Sequence, residues 1–267
     1  NERTFTGLVR HVYVRTNRAG RSLCCLLVNG RGVPREVELV RALRRAEPNL
    51  AGIVLGVNEK HNNVILGDSY RTLWGEDFLS DTLCGLTFRL SVPSFYQVNP
   101  AQTEVLYGKA LEFAGLTGAE TVLDLYCGIG TIGIIAADKA KSVIGVELNP
   151  ASVKDARNNA RHNNIGNITF YQNDAERFLN EMQEQNAKAD VIFMDPPRAG
   201  STQSFMASAI SLNPDRIVYI SCNPETLARD LKHLTGNGYS VRQIQPVDMF
   251  PSTGHIETVV LIQRKTM

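Results

Sequence analysis

The chain has 267 residues, of which 43% are hydrophobic and 21% charged, and its net charge is +1, which is an ordinary globular composition with room for one large or two modest domains. No apolar run approaches the roughly 20 residues of a membrane helix, and five cysteines without C-x-x-C spacing argue against a disulfide framework and a zinc site. We therefore expect a reducing, cytoplasmic setting and no metal. Because the chain begins at Asn1 rather than Met, we expect a piece of a longer chain.

Residues 1–92 are predicted to form a small α+β domain. Residues 6–30 predict two strands joined by a turn at residues 17–20, and VRHVYVR alternates apolar and basic residues, as a half-exposed strand does. An amphipathic helix is expected over residues 35–46, and GIVLGVN and NVILGDS are expected to be strands. This part carries 13 basic and 9 acidic residues, against 15 and 18 in the remainder. The excess of arginine near the start fits either a solvated edge or a phosphate-contacting surface, and charge alone leaves both open.

Residues 93–267 follow a different pattern. A helix is predicted over residues 100–115, starting at Pro100 after Asn99. Strands and helices then alternate strictly, with strands at TVLDLY, SVIGVEL, NITFYQ, ADVIFMD and RIVYIS, and two more strands near 240–247 and 257–264. Such alternation predicts an α/β, Rossmann-like sheet, mostly parallel, with helices on both faces. Ligands of these sheets bind at the carboxyl ends of the strands.

The first two of these strands end in residues typical of a nucleoside cofactor site. Gly128 and Gly130 follow the first strand and allow a tight turn close to a ligand. Glu147 ends the second strand, 23 residues after Asp124, where an acid can accept hydrogen bonds from ribose hydroxyls. NAD fits this pattern, but the third glycine of a pyrophosphate cradle is missing, so S-adenosylmethionine fits as well. Asp174 is either a helix cap or a contact to adenine.

The later strands end in groups that could react. Asp195 is followed by two prolines, which would hold it rigidly at the ligand edge. Cys222 lies where RIVYIS meets a helix capped by Asn223, and it could be a small buried hydrophobe, a metal ligand or a nucleophile. The positive end of that helix is expected to lower the pKa of Cys222. Glu257, at the start of the last strand, is either a solvated strand end or a base.

Six segments in this order resemble the RNA (uracil-5-)-methyltransferases: FYQVNPAQTEVLY, DLYCGIGTIG, GVELNP, DPPRAG, SCNPETLARD and MFPSTGHIE. The resemblance covers residues 90–267, and residues 1–92 resemble the family's small central domain more loosely. It implies an S-adenosylmethionine-dependent methyltransferase domain at residues 93–267 and a smaller, RNA-contacting domain at residues 1–92. It further implies transfer of a methyl group to C5 of a uridine in RNA.

The resemblance also assigns roles to individual residues. Cys222 matches the nucleophile that attacks C6, and Glu257 matches the base that removes the C5 proton. Desolvation is expected to raise the pKa of Glu257 towards the working range. For Asp195 a contact with the target uracil is implied as well. The cofactor-binding residues expected from the glycine turn and from the resemblance are Gln97, Tyr126, Gly128, Glu147, Asp174 and Asp195.

The expected partner is RNA, with 23S rRNA preferred over tRNA because SCNPETLARD and DMFPSTGHIE look closer to the rRNA enzymes; we expect a monomer. Family members often carry an N-terminal barrel and a cysteine cluster for a [4Fe–4S] centre, and this sequence shows neither, so no iron–sulfur cluster is expected in this fragment. Two alternatives stay open. One is another methyltransferase of the same fold, although amino-group enzymes have an aromatic residue in place of Arg198 and cytosine-5 enzymes a cysteine in that motif. The other is a non-catalytic RNA-binding module.

Overall fold

The computed structural model describes residues 1, 3–4 and 6–265. They form two compact units. The first comprises Asn1–Thr82 and Thr87–Ser94, and the second comprises Leu83–Leu86 and the chain from Phe95 onward.

The first unit is a mixed sheet with one helix and a separate strand pair. Its elements are β1 (Val9–Thr16), β2 (Ser22–Val28), α1 (Glu36–Ala46), β3 (Leu50–Val57), β4 (Ser69–Gly75), β5 (Phe78–Leu83) and β6 (Leu86–Ser91). The four-stranded sheet has the order β1-β2-β3-β4, and only β2 and β3, which α1 connects, are parallel within it. Leu39, Val40 and Leu43 of α1 pack on one face of the sheet, against Cys24 and Leu26. The predicted hairpin and helix are therefore confirmed.

One predicted strand of this unit is wrong. NVILGDS is a loop, and β4 begins only at Ser69. The side-chain amide of Asn58 donates hydrogen bonds to the backbone oxygens of Val64 (2.6 Å), Ile65 (3.1 Å) and Leu66 (3.2 Å). These carbonyls turn inward to one buried side chain, so they are not aligned for a ladder, and Val64 is left 53% exposed.

The second unit is the alternating part of the sequence. Its elements are α2 (Pro100–Ala114), β7 (Thr121–Leu125), α3 (Thr131–Ala136), β8 (Ser142–Glu147), α4 (Pro150–His162), β9 (Ile168–Gln172), α5 (Ala175–Glu184), β10 (Val191–Met194), α6 (Gln203–Ser211), β11 (Arg216–Ser221), α7 (Pro224–Gly236), β12 (Tyr239–Val247) and β13 (Glu257–Arg264). The sheet order is β12-β13-β11-β10-β7-β8-β9. The five strands from β11 to β9 are parallel, and β13 and β12 are antiparallel additions. The predicted α/β, doubly wound fold is confirmed.

Three helices of this unit begin in the same way. Asn99, Asn149 and Asn223 cap α2, α4 and α7, and each is followed by proline, which has no amide hydrogen to satisfy. The caps fix where each strand-end loop stops and its helix starts. Among the described residues α2 is the longest helix, with 15 residues, and none is long and apolar enough to cross a membrane.

The chain order of the strands reverses at β7, which lies between β10 and β8. Connections on the two sides of this point run in opposite directions, so a crevice opens beyond the carboxyl ends of the strands. The ends of β7, β8, β10 and β11 are the places where the sequence predicts functional residues.

Candidate active site

The turn after β7 is built for close approach of a ligand. The backbone φ is positive at Tyr126 (66°), Gly128 (55°) and Gly130 (83°). The Gly128 amide donates a hydrogen bond to Oε2 of Glu147 (3.1 Å), so the structure brings these two predicted cofactor residues together. A Cβ built on Gly128 would have no heavy atom within 4 Å outside its chain neighbours, which leaves that side of the turn open.

Asp124 lies beneath this turn and was not among the predicted site residues. Its side chain is fully buried, Oδ2 accepts a hydrogen bond from the Gly133 amide (2.8 Å), and Oδ1 has no hydrogen-bond partner. The pKa of Asp124 is raised to about 7. Burial is the largest cause, the hydrogen bond from the Gly133 amide works against it, and the charge of Glu147 adds to it. The signal in the sequence was an acid inside the apolar strand TVLDLY.

Tyr126 and Asp174 flank the same crevice. The Tyr126 ring packs against Phe205, with ring centres 5.4 Å apart. Burial, and next the charge of Asp174, raises the pKa of Tyr126 to about 12. Asp174 is the cap of α5, with Oδ1 accepting from the Arg177 amide (3.0 Å). The helix-cap interpretation of Asp174 is therefore confirmed, and its contact to adenine stays a prediction.

Gln97 lies in the irregular segment before α2 and is buried, with 7% of its surface exposed. The segment is anchored two residues later, where the Asn99 side-chain amide donates to the backbone oxygen of Met249 (3.1 Å). Met249 belongs to the loop that leads into β13. The structure therefore ties the Gln97 segment to the loop that precedes Glu257.

The pairing of β11 with β13 brings the two predicted catalytic residues together. Ser221 pairs with Thr258 in this antiparallel ladder, so continuing the register by one residue sets Cys222 opposite Glu257. Glu257 is only 4% exposed, and burial raises its pKa, which confirms the predicted direction. Asp195 leaves the neighbouring strand β10. Burial raises its pKa to about 8, with further contributions from the charges of Glu257 and Asp124.

The predicted fall in the pKa of Cys222 is wrong. Burial raises it, followed by the negative charges of Glu257 and Asp195, and the positive charge of Arg198 offsets only part of this. The end of a helix contributes only a partial positive charge, and burial together with the two neighbouring acids outweighs it. Cys222 is a free, partly buried thiol. Among the described residues no group of three or more His, Cys, Asp and Glu side chains could hold a metal ion.

The loop after β10 contributes one further charged group. Nη2 of Arg198 lies 3.2 Å from Nδ1 of His255, in the loop before β13. The His255 ring meets Phe250 edge-on, with ring centres 6.4 Å apart. The positive charge of Arg198 also lowers the pKa of Cys222, so it offsets part of the effect of the two acids on the thiol.

A second buried acid, Asp230, was also missed by the sequence reasoning. It is fully buried on α7, on the helix face that carries Leu227 and Leu234 into the core. The signal in the sequence was a charged residue at a core position of an amphipathic helix. Its contacts reach the loop after β10.

The sheet order and the polar strand ends define a Rossmann-like methyltransferase fold, and comparison with known proteins bears this out. The family model described as tRNA (Uracil-5-)-methyltransferase matches residues 71–265. Uncharacterized RNA methyltransferases of Halalkalibacterium halodurans and Staphylococcus epidermidis are each 46% identical to this chain over 266 residues, or 99% of it. The chain belongs to the tRNA (uracil-5-)-methyltransferase family, as the sequence motifs predicted.

Solved structures agree with this assignment. The tRNA (uracil-54, C5)-methyltransferase of Pyrococcus abyssi, a complex with S-adenosyl-L-homocysteine, has a TM-score of 0.79 and 29% identity, covering 96% of this chain and 60% of that one. A protein from Streptococcus mutans described as a putative SAM-dependent methyltransferase shares the fold, with a TM-score of 0.61 and 13% identity over 98% of this chain and 77% of that one. The chain spans 58% of the length of the two curated relatives.

Proposed function

We propose that this protein transfers a methyl group from S-adenosylmethionine to C5 of a uridine in RNA, with Cys222 as nucleophile and Glu257 as base. The observation that carries the proposal is that β11 and β13 pair up to Ser221 and Thr258, the residues next to Cys222 and Glu257, and that the charge of the buried Glu257 raises the pKa of Cys222. Asp195, at the end of the adjacent strand, adds to the rise in the pKa of Cys222, and its own pKa is raised by burial and next by the charge of Glu257. Amino-group methylation needs no thiol, so this pairing favours attack on a pyrimidine ring.

The residues at β7 and β8 fit the cofactor. The open side of Gly128, the carboxylate of Glu147 and the unpartnered oxygen of Asp124 offer space and acceptors for the hydroxyl and amino groups of a nucleoside with an amino-acid tail. When bound, S-adenosylmethionine supplies the methyl group as an electrophile. The side chains proposed to hold it are Gln97, Tyr126, Glu147, Asp174 and Asp195, with the backbone at Gly128.

The chemistry then follows from two protein groups. C5 of uracil is a weak nucleophile, and addition of the Cys222 thiolate to C6 moves the electron pair of the C5–C6 double bond towards C5 and O4. Once C5 carries the methyl group, the Glu257 carboxylate removes the C5 proton. The electrons of that C–H bond restore the double bond, and the thiolate leaves C6. The raised pKa of Glu257 makes it a stronger base than an exposed glutamate.

We propose RNA as the class of substrate, without assigning a particular RNA molecule. The 13 basic against 9 acidic residues in positions 1–92 support contacts with phosphates. The preference for 23S rRNA over tRNA stays a prediction, as does the monomeric state. A target uridine that is stacked or paired must be turned out of its helix to reach a strand-end crevice, and this costs a few kcal/mol.

The test is methyl transfer from labelled S-adenosylmethionine to unmodified transcripts of 23S rRNA and of tRNA, followed by mapping of 5-methyluridine. Cys222→Ala should abolish transfer and also the stable adduct with RNA that contains 5-fluorouridine. Glu257→Gln should leave the adduct in place and block its release. Cys84→Ala removes another partly buried thiol that forms no disulfide, in the turn between β5 and β6, and serves as the matched control.

Three outcomes would contradict the proposal. An adduct that still forms in Cys222→Ala would show that Cys222 is not the nucleophile. Label found at a cytosine or on an amino group would assign another methyltransferase class. Calorimetric binding of the cofactor without transfer to either transcript would favour the non-catalytic RNA-binding module.

A further inference from the structure

The loop of residues 195–201, which follows β10, is held from behind by helix α7. Nη2 of Arg229 donates hydrogen bonds to the backbone oxygens of Ala199 (3.0 Å) and Ser201 (3.1 Å). The Ser201 amide donates to Oδ2 of Asp230 (2.8 Å). Arg229 and Asp230, two consecutive residues of α7, therefore form hydrogen bonds with three backbone groups of the loop that begins with Asp195.

Two more residues, the cap of α7 and one residue of its first turn, hold the middle of the loop. The Asn223 side-chain amide and the Thr226 hydroxyl both donate to the backbone oxygen of Arg198, each at 3.3 Å. The carbonyl that these donors fix belongs to the residue whose guanidinium group stands beside His255. The helix thus restrains the loop along most of its length.

Asp230 is the buried centre of this arrangement. Its Oδ2 also accepts a hydrogen bond from the Tyr219 hydroxyl (2.6 Å), and its Oδ1 accepts from Nε of Arg229 (2.8 Å). Burial, and next the hydrogen bond to Asp230, raises the pKa of Tyr219, which keeps that hydroxyl a donor. A fully buried carboxylate is tolerated because every side of it faces a donor.

Gly200 shows how closely loop and helix approach. Its φ is +74°, and a Cβ there would lie 2.6 Å from Nη2 of Arg229 and 2.7 Å from Oδ2 of Asp230. Only glycine allows both this backbone conformation and this contact. The loop is therefore seated directly on the two polar side chains.

The same helix starts directly after Cys222, so it connects the thiol rigidly to the loop that carries Asp195 and Arg198. We propose that Arg229 and Asp230 are positioning residues, which set this loop against Cys222. The inference rests on the proposed function, because it assigns these residues a part in the reaction of Cys222. A displacement of about 1 Å at a reacting centre can reduce a rate by about 100-fold, so the contacts need not touch substrate to matter.

Arg229→Gln is the informative variant because the Arg229 side chain is 56% exposed and its loss need not prevent folding. We expect adduct formation with 5-fluorouridine RNA, and kcat for methyl transfer, to fall by about 10- to 100-fold. The Kd for S-adenosylhomocysteine, measured by calorimetry, should rise by a smaller factor than the rates fall, because Asp195 lies on this loop but the other proposed cofactor residues do not. Arg229→Lys keeps the positive charge beside Asp230 but loses the planar guanidinium group. Its rates of adduct formation and methyl transfer should lie between those of the wild type and of Arg229→Gln.

Arg161→Gln is the matched control. Arg161 is an exposed arginine that also donates to a backbone oxygen, that of Arg157 (3.3 Å), and to a side-chain oxygen, that of Asn158 (2.8 Å), but on α4. Its rates should equal those of the wild type. A wild-type rate for Arg229→Gln, or a loss that matches its unfolded fraction, would overturn the positioning role alone. Failure of the wild type to form either adduct or 5-methyluridine would overturn the proposed function, and the positioning role with it.

Discussion

The buried carboxyl of Asp124 gives a prediction that can be tested without any substrate. Asp124→Asn removes the titrating group and keeps an oxygen that can accept the hydrogen bond from the Gly133 amide (2.8 Å). The side chain is fully buried, so solvent does not screen the change. The variant should therefore isolate what it costs the fold to keep this group ionised.

The sign follows from the direction of the shift. The pKa of Asp124 is about 7 in the folded protein against an ordinary value of 3.8, so the folded state holds the proton more tightly than the unfolded state. The resulting stability is fully present below about pH 4 and is lost as the pH rises to about 7, at about 1.4 kcal/mol per pH unit. Between about pH 5 and about pH 8 the wild type should lose about 2.5 kcal/mol through this group, and Asp124→Asn should not.

The assay is urea unfolding of both proteins at about pH 5 and about pH 8, without cofactor. Helical circular dichroism is the suitable signal because six of the seven α-helices found in the described residues lie in the second unit, whereas the single tryptophan, Trp74, lies in the first. The advantage of Asp124→Asn over the wild type should grow by about 2.5 kcal/mol across this range. Asp138→Asn, which removes an exposed carboxyl next to α3, is the control. Equal pH dependence in wild type and Asp124→Asn would refute the reasoning.

Three further predictions concern the loop, the thiol and the helix cap. Gly200→Ala should lower the free energy of unfolding by at least about 1 kcal/mol in urea, because its Cβ would collide with Asp230; unchanged stability would contradict the close approach. Glu257→Gln removes a charge that raises the pKa of Cys222, so iodoacetamide should alkylate that thiol at least about threefold faster near pH 8, and an unshifted pH profile would contradict this. Asn223→Ala removes the cap bond (3.0 Å) of α7 and should cost about 1 kcal/mol, measured by thermal unfolding; an unchanged Tm would contradict it.

Several features of the site could be predicted because they depend on neighbours in sequence. The apolar run of RIVYIS, its end at Cys222 and the cap at Asn223 all appear in the structure as expected. So does the parallel sheet, because strict alternation of strands and helices leaves few other arrangements. The position of Glu147, opposite the glycine turn, follows from that alternation as well.

Other features depended on residues far apart in the chain. The loop formed by NVILGDS follows from one side-chain amide, that of Asn58, which no periodicity reveals. The rise in the pKa of Cys222 depends on burial and next on Glu257 and Asp195, which lie 35 and 27 positions away in the sequence. The sequence shows Asp230 only as a charged residue within an apolar helix face, and its partners Tyr219 and Ser201 come from other segments of the chain.

The sequence by itself determined the order of the elements and the family, and it indicated the residues that we propose to react, because strand ends and helix caps depend on short stretches of chain. The tertiary structure decided which of those residues meet and how charged they are. The ladder of β11 and β13 ends at Ser221 and Thr258, next to Cys222 and Glu257; burial raises the pKa of both groups, and neighbouring carboxylates raise that of Cys222 further. Pairing and desolvation are properties of contacts between distant segments, and these exist only once the chain is folded.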